Sequence, residues 1–264
     1  MHSLEAGRGL SVHMTAFAAL PAGLAAVIGA LLGLLAGSYI ATMLVRWPQG
    51  LSANRGRSRC DGCGRQLSWY ELVPIAGFLL AKGQCRSCGA RIDPLHLYVE
   101  LVCGALGSVL FALEWPLLAP MVWLLVALAL FDLLYLWLPD RLTLPLAAVA
   151  FISPPWTEGL GLGERLLGGI IGFGALWLVG AGFRRMTGRE GLGGGDPKLL
   201  GAIGLWLGPL SLPLLLLTAC LIGLTDAAVR LLRGAQRATL KLPLGLYLAI
   251  AAIGFAVAKP FVTT

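Results

Sequence analysis

Apolar segments, most of them long enough to cross a lipid bilayer, recur along almost the whole of this 264-residue chain. About 20 consecutive apolar residues are enough for one helical crossing. Eight such segments can be placed, at 16–45, 95–113, 117–138, 142–156, 165–183, 198–208, 210–229 and 243–260. The fourth and sixth are short, so we expect them to lie partly inside the helix bundle or to end below the membrane interface. The sequence therefore predicts an all-α polytopic membrane protein with about eight transmembrane helices.

The charge content agrees with a lipid-facing surface. Only 12% of the residues are charged and 58% are hydrophobic, whereas about a quarter of the residues of a soluble protein are charged. The first apolar segment follows a single basic residue, Arg8, has no cleavage-site pattern and ends at Arg46. These features predict an uncleaved first span rather than a secretory signal.

Basic residues are concentrated in four connecting segments, which hold 17 of the 20 lysines and arginines. These segments are 46–93, 139–141, 184–198 and 230–241. The other three basic residues are Arg8, Arg165 and Lys259. With eight spans, the four basic segments share one side of the membrane, which the positive-inside rule identifies as the cytoplasm, with both termini outside. The net charge of +7 is then an orientation signal, with contacts to anionic lipid, and not a sign of nucleic-acid binding.

The 46–93 segment contains two Cys-x-x-Cys pairs, each followed by glycine. Cys60 and Cys63 form the first pair, and Cys85 and Cys88 form the second after 21 intervening residues. This spacing is typical of a structural zinc site with four thiolate ligands. Metal binding would supply folding free energy that so small a module lacks. The alternative is two disulfides or a redox pair, which the predicted cytoplasmic location disfavours.

Acidic residues in or beside membrane spans are functional candidates because they are costly to bury in lipid. The candidates are Glu100, Asp132, Asp140, Asp196 and Asp226. If the chain is helical from Asp132 to Asp140, Asp132 lies about 12 Å deeper at 1.5 Å per residue. Asp140, next to Pro139 and Arg141, is then a helix cap or an interfacial charge.

Asp196 follows three consecutive glycines and precedes Pro197. Because proline suits the first position of a helix, Asp196 is predicted to be the helix cap. In the simpler interpretation it is only a cap, and the glycines form only a flexible loop. The predicted topology nevertheless places Asp132 and Asp196 at the same end of the membrane, on different helices. Two carboxyls held close together share a proton, and this arrangement supports aspartic protease chemistry.

Seven stretches of the chain resemble, in order, those of the type IV prepilin peptidases, which are GxGD-type membrane aspartic proteases. They are Gly37 to Pro48, Ser58 to Gly64, Trp69 to Pro74, Lys82 to Gly89, Asp132 to Pro145, Gly193 to Lys198 and Leu242 to Gly245. Glu100 corresponds to the acidic residue that closes the family's cysteine-containing domain. The chain departs from the family at Leu134, where members often have a further acid, and at Leu244, which replaces a phenylalanine.

The resemblance implies that Asp132 and Asp196 are the catalytic pair. The implied reaction removes a basic leader from prepilins or pseudopilins at the cytoplasmic face of the bacterial inner membrane. N-methylation of the new terminus from S-adenosylmethionine is implied as well, with residues 1–113 as the putative methyltransferase region and 114–264 as the peptidase. The alternative from another functional class is a proton- or cation-coupled transporter that uses the zinc module for docking. An assembly protein with an inactive site is a further alternative.

Overall fold

The computed structural model describes residues 20–60, 62–153, 159–234 and 241–262, and their side chains as far as residue 258. Within these ranges the chain is mostly helical, and its only β-type pairing consists of two isolated bridges. Several predictions concern residues outside this description. These residues include the start of the first apolar segment, the end of the fourth, Arg8, Arg237 and the side chain of Lys259.

Nine α-helices occur in the described ranges, and all but the short α2 coincide with a predicted apolar segment. They are α1 Ala22–Arg46, α2 Ala76–Leu80, α3 Leu95–Ala112, α4 Ala119–Tyr135, α5 Asp140–Ile152, α6 Leu162–Thr187, α7 Asp196–Leu207, α8 Leu212–Leu232 and α9 Leu244–Val262. The predicted all-α architecture is therefore confirmed for the part of the chain that is described.

The prediction of eight full crossings is not confirmed. Five helices, α1, α3, α4, α6 and α8, are long and apolar enough to span a bilayer. Helices α5 and α7 have 13 and 12 residues, and about 20 residues are needed for one crossing. The described part of α9, Leu244–Ala258, is also a shorter apolar helix. The chain is thus a multi-pass membrane protein whose described apolar helices are of two lengths.

The chain divides into two compact units, residues 1–119 and 120–264. In the first unit, α1 packs along α3 through glycines spaced four residues apart, Gly29, Gly33 and Gly37. A Cβ atom at Gly33 would lie only 2.1 Å from the carbonyl oxygen of Cys103. The close approach of these two backbones therefore depends on the missing side chains, as is common for helix pairs in membranes.

In the second unit, α7 packs against α5, α6 and α9, and most of its residues are buried. The short sixth apolar segment is thus inside the bundle, as predicted. Helices α6 and α7 meet at two glycines, because a Cβ at Gly204 would lie 2.3 Å from the carbonyl oxygen of Gly168. This contact fixes the axis of α7, whose first residue is Asp196.

Arg165, in the first turn of α6, joins the ends of two neighbouring helices. Its guanidinium donates hydrogen bonds to the carbonyl oxygens of Leu205 near the end of α7 and of Ala150 and Ser153 at the end of α5. The last carbonyls of a helix lack partners within that helix. Arg165 satisfies three of them with one side chain.

The chain from Asp132 to Asp140 is not one continuous helix. Helix α4 ends at Tyr135, Leu136 has a positive φ of 51°, and Pro139 is extended before α5 begins at Asp140. The depth difference of about 12 Å, which was conditional on a helix from Asp132 to Asp140, therefore does not apply. The break lets Leu138 lie beside Gly195 and Gly245, the glycines next to Asp196 and Asp132 in space.

Candidate active site and metal centre

The four cysteines of the 46–93 segment come together as the spacing predicted. The sulfur atoms of Cys60, Cys63, Cys85 and Cys88 all lie within 4.8 Å of one another. The sulfur atoms of Cys60 and Cys88 are 3.7 Å apart, which suits the sulfur–sulfur spacing of about 3.8 Å expected around a tetrahedral zinc with Zn–S bonds of about 2.3 Å. All four are free thiols. The cluster can hold a metal ion. The structure has four unpaired thiols at this place rather than the alternative of two disulfides.

Each cysteine pair lies on a tight turn closed by the glycine that follows it. The amide of Gly64 donates to the carbonyl of Cys60, and the amide of Gly89 donates to the carbonyl of Cys85, both at 2.9 Å. Both glycines have a φ of 70°, in the left-handed region that favours glycine. The two turns therefore have the same geometry, and the sequence signal for it is the glycine after each pair.

Arg65 connects the cysteine cluster to the rest of the module. Its guanidinium forms two hydrogen bonds with the carboxylate of Glu71, at 2.8 and 3.0 Å, and lies 3.9 Å from the sulfur of Cys85. Glu71 also accepts the backbone N–H of Ser68 at 2.8 Å. The Arg65 guanidinium and the Ser68 amide lower the pKa of Glu71 to about 2. Sequence reasoning missed this support, although the Ser-x-x-Glu spacing of a capping box was a signal for it.

The two predicted aspartates come together in the second unit. Asp132 lies in α4 and Asp196 begins α7, and both are almost completely buried, with 5% and 6% exposure. Gly195, which precedes Asp196, and Gly245, whose Cβ position is 3.0 Å from Oδ2 of Asp132, both lie against Leu138. Two buried carboxyls in one site favour a state in which they share one proton.

Each carboxyl is held by a backbone amide. Oδ2 of Asp132 accepts the N–H of Leu246 at 2.9 Å, in the first turn of α9. Oδ2 of Asp196 accepts the N–H of Gly193 at 3.1 Å. Helix α7 begins at Asp196 itself, with Gly195 in the cap position. Asp196 is therefore not the helix cap, and its carboxylate points back toward the glycine loop.

Leu138 packs against two glycines, Gly195, which directly precedes Asp196, and Gly245, which lies against the Asp132 carboxylate. A Cβ at Gly195 would lie 2.5 Å from the Cβ of Leu138, and a Cβ at Gly245 would lie 2.8 Å from its Cδ1. The same atom at Gly245 would also lie 3.0 Å from Oδ2 of Asp132. Glycine at both positions thus allows α4, α7 and α9 to converge on one point. Sequence reasoning noted both glycines but not this contact.

The other acidic candidates have separate partners. Asp140 forms an ion pair of 2.7 Å with Lys198 in the first turn of α7, and both side chains are largely exposed. Glu100, buried in the first unit, accepts the backbone N–H of Ile75 at 2.8 Å. Asp226 in α8 forms an ion pair with Arg230. None of the three is in the Asp132–Asp196 pair.

Comparison with known families assigns both halves of the chain. Residues 31–114 match the bacterial peptidase A24 N-terminal domain, and residues 119–227 match the type IV leader peptidase family. No solved structure matches the chain.

Individual relatives agree with these matches. A prepilin leader peptidase/N-methyltransferase of Dichelobacter nodosus is 38% identical over 74% of this chain and 68% of its own length. A protein of the same name from Aeromonas salmonicida is 38% identical over 74% of this chain and 69% of its own length. The one from Burkholderia pseudomallei is 33% identical over 89% of this chain and 86% of its own length. With both domains matched and these relatives covered over more than two thirds of their length, the chain belongs to the type IV leader peptidase family.

Proposed function

We propose that this chain is a membrane-embedded aspartic endopeptidase that removes the short basic leader from prepilins or pseudopilins. The observation that carries the proposal is the burial of Asp132 and Asp196, which come from different helices and whose neighbouring glycines, Gly245 and Gly195, both lie against Leu138. Membership of the leader peptidase family supports it, as do relatives named for both peptidase and N-methyltransferase activity. The same enzyme then methylates the new N-terminus, with S-adenosylmethionine as the methyl donor.

The chemistry follows from a proton shared between two carboxyls. The ionised carboxylate takes a proton from a water molecule as that water attacks the scissile carbonyl carbon. The protonated partner donates a hydrogen bond to the carbonyl oxygen, which gains negative charge. A proton then passes to the amide nitrogen, the C–N bond breaks, and the leader and the mature pilin separate.

The backbone amides of Leu246 and Gly193 fix the two side chains before substrate binds. Each amide bonds the Oδ2 atom of one carboxyl. Positioning of this kind lowers the barrier because the reacting groups lose little freedom in the transition state.

We propose that the metal of the cysteine cluster is zinc and that its role is structural. Four thiolate ligands fill a tetrahedral site and leave no open position for a substrate or a water. Zinc, when bound, supplies folding free energy to the 46–93 module. The contact between Arg65 and the sulfur of Cys85 supports an electron-rich ligand set of this kind.

We also propose that the carboxyl pair and the cysteine module face the cytoplasm from the bacterial inner membrane. The concentration of basic residues in the segments 46–93, 139–141, 184–198 and 230–241 supports this orientation. Prepilins would then be cut where their leader leaves the bilayer.

Charge contributes little to substrate binding in this proposal. Glu71, Asp93 and Asp140 are described acids that could attract a basic leader, but each already has a partner. Glu71 binds Arg65, Asp140 binds Lys198, and Asp93 accepts the N–H of Leu95 at 2.8 Å. Asp61, the remaining candidate, lies outside the described residues. The apolar segment of the pilin should therefore supply most of the binding free energy.

The test uses the protein in liposomes with a tagged prepilin, and mass spectrometry measures leader removal and methyl incorporation. Wild type should release the leader, and with S-adenosylmethionine it should add one methyl group to the product. Asp132→Asn and Asp196→Asn should each lower cleavage by about 10²–10⁴-fold. Cleavage at the wild-type rate by Asp196→Asn, or ion flux through the liposomes without any cleavage, would refute the proposal.

A second substrate separates the two activities. We propose that residues 1–113 carry the methyltransferase and residues 114–264 the peptidase. A pilin supplied without its leader should therefore still be methylated by Asp132→Asn and Asp196→Asn. Loss of methylation on this substrate, in variants that remain folded, would contradict the division.

A further inference from the structure

Asp226 is a charged residue in a membrane-spanning helix that the proposed chemistry does not use. It lies in α8, six residues before the end of that helix. Acidic side chains in such positions are costly and commonly have a function. Asp226 is also not in the carboxyl pair, so its function must be sought in the groups that it contacts.

The carboxylate of Asp226 has two partners on two helices. Arg230, one turn further along α8, donates to it at 2.9 Å. The hydroxyl of Tyr247, in the first turn of α9, donates a short hydrogen bond to Oδ2 of this carboxylate, which also lies 2.8 Å from Nε of Arg230. Asp226 and Arg230 are partly exposed, whereas Tyr247 is buried with 4% exposure. Asp226 therefore joins α8 to the start of α9 through one buried hydroxyl.

The ring of Tyr247 is seated against a glycine of α8. A Cβ at Gly223 would lie 2.9 and 3.0 Å from two ring carbons of Tyr247. Gly223 precedes Asp226 by three residues, so both lie on the same face of α8. Gly223 accommodates the tyrosine ring, and Asp226 binds its hydroxyl. Together they fix the position of the Tyr247 side chain.

Tyr247 directly follows the residue that holds the catalytic carboxyl. The amide of Leu246 donates to Oδ2 of Asp132 at 2.9 Å, and Gly245 lies against the same carboxyl. All three residues belong to the first turn of α9, which begins at Leu244. A rotation or shift of this turn would move the Leu246 amide relative to Asp132.

We propose that Tyr247 and Asp226 are positioning residues that orient the first turn of α9 so that the Leu246 amide holds the Asp132 carboxylate for peptide hydrolysis. This inference rests on the proposed function, because it takes Asp132 as a catalytic residue. Tyr247 acts through the backbone of its own turn, and Asp226 acts through Tyr247. Gly223 provides the space that this arrangement requires.

The first test removes only the hydroxyl, in Tyr247→Phe. We expect kcat for leader cleavage to fall roughly 10-fold, within the 10²-fold that a 1 Å misplacement can cost, while KM stays within about twofold. The matched control is Tyr98→Phe in α3, where the tyrosine is 62% exposed. An unchanged kcat in Tyr247→Phe, measured per folded molecule, would overturn the proposal.

Two further pairs of variants separate positioning from stability. Asp226→Asn keeps an oxygen that can accept the Tyr247 hydroxyl, so it should retain most of the kcat that Asp226→Leu loses. Gly223→Ala should lower kcat as Tyr247→Phe does, whereas Gly254→Ala, with open space around its Cβ position, should not. Equal losses in Asp226→Asn and Asp226→Leu, or losses that appear only in KM, would overturn the proposal.

Asp132→Asn is measured in the same assay, so that the catalytic role of Asp132 and the positioning role of Tyr247 are tested separately. If Asp132→Asn cleaves at the wild-type rate, the proposed function itself is wrong. If Asp132→Asn is inactive and Tyr247→Phe matches wild type, the catalytic pair stands and only the positioning role is lost. In the double variant Tyr247→Phe/Asp226→Leu, the positioning role predicts a kcat no lower than that of the worse single variant.

Discussion

The cysteine cluster and the carboxyl pair are built in opposite ways. The cysteines lie within 28 residues of one another on two short turns with little buried core around them. The carboxyl pair is buried, and the amide that holds Asp132 comes from a residue 114 positions further along the chain. Local turns and a metal therefore define the first site, whereas the packing of distant helices defines the second.

This difference determines how each site should respond to damage. A site held together by a metal ion should lose the metal and its local fold together. A site held by helix packing should lose geometry when two backbones are forced apart, even if no functional side chain is touched. Variants that act on packing should therefore affect leader cleavage most, and variants at the cysteines should affect it less.

Among variants that leave both aspartates in place, the largest effect on cleavage is expected from Gly204→Ala, at the contact between α6 and α7. The new Cβ would lie 2.3 Å from the backbone oxygen of Gly168, so α7, which carries Asp196, has to move. We expect cleavage to fall by about 10²-fold and the stability to fall by about 1–3 kcal/mol. Cleavage assays and thermal unfolding in detergent measure the two quantities.

The matched control is Gly174→Ala, also in α6, where nothing lies within 4 Å of the Cβ position. Alanine is favoured over glycine in a helix by about 0.5–1 kcal/mol, so this variant should be as stable as wild type or more so. If Gly204→Ala and Gly174→Ala behave alike, the close contact of α6 and α7 does not define the site.

A smaller effect is expected from Gly195→Ala, next to Asp196. The backbone of Gly195 has φ −83° and ψ −29°, which alanine adopts freely, so any loss is steric. Its Cβ would lie 2.5 Å from the Cβ of Leu138. We expect kcat to fall about 10-fold because Leu138 and Asp196 must shift apart.

Gly194→Ala separates this contact from the general flexibility of the loop. Nothing lies within 4 Å of the Cβ position of Gly194, although it belongs to the same glycine run. Its kcat should stay near that of wild type. Equal losses in Gly194→Ala and Gly195→Ala would mean that loop flexibility, rather than the contact with Leu138, is what the glycines provide.

At the cysteine cluster, Cys63→Ser should abolish metal binding while lowering cleavage by less than about 10-fold. Three thiolates and a hydroxyl make a much weaker zinc site, so zinc should fall from about one per chain to near zero. The 46–93 module should then become sensitive to proteolysis. Asp132 and Asp196 lie on helices of the other unit, so cleavage should persist. A loss as complete as that of Asp132→Asn would contradict the separation of the two sites.

The sequence predicted the features that depend on local patterns. Eight apolar segments predicted the helices because burial in lipid requires long apolar runs, and the spacing of the cysteines predicted their cluster because ligands on two tight turns need no distant partner. The prediction of eight full crossings was not confirmed in the described residues, since apolar composition alone does not separate the buried α7 from a lipid-facing span.

Contacts between distant helices could not be predicted in the same way. Nothing in the apolar run around Leu136 indicates its positive φ, which ends the helix before Asp140. The contacts of Leu246 with Asp132 and of Tyr247 with Gly223 depend on the position of α9 relative to α4 and α8. The glycines were visible, but which backbone approaches each of them is a property of the three-dimensional packing.

The smallest effect should come from the ion pair between Asp140 and Lys198. It joins the start of α5 to the first turn of α7, the helix that begins at the proposed catalytic residue Asp196. However, the side chains are 59% and 44% exposed, and exposed pairs contribute about 0–1 kcal/mol. Asp140→Asn should therefore lower kcat by at most about fivefold.

The exchanged variant, Asp140→Lys with Lys198→Asp, tests whether the pair acts through its charges. It should recover only part of the activity that Asp140→Lys loses, because a lysine at the start of α5 opposes the helix dipole. High salt should weaken the wild-type contact, since exposed charges are screened. If Asp140→Asn instead removes cleavage as completely as Asp132→Asn, Asp140 belongs to the catalytic machinery. The reaction would then need three carboxyls. Asp132 would lie before the break between α4 and α5, Asp140 after it, and Asp196 on α7.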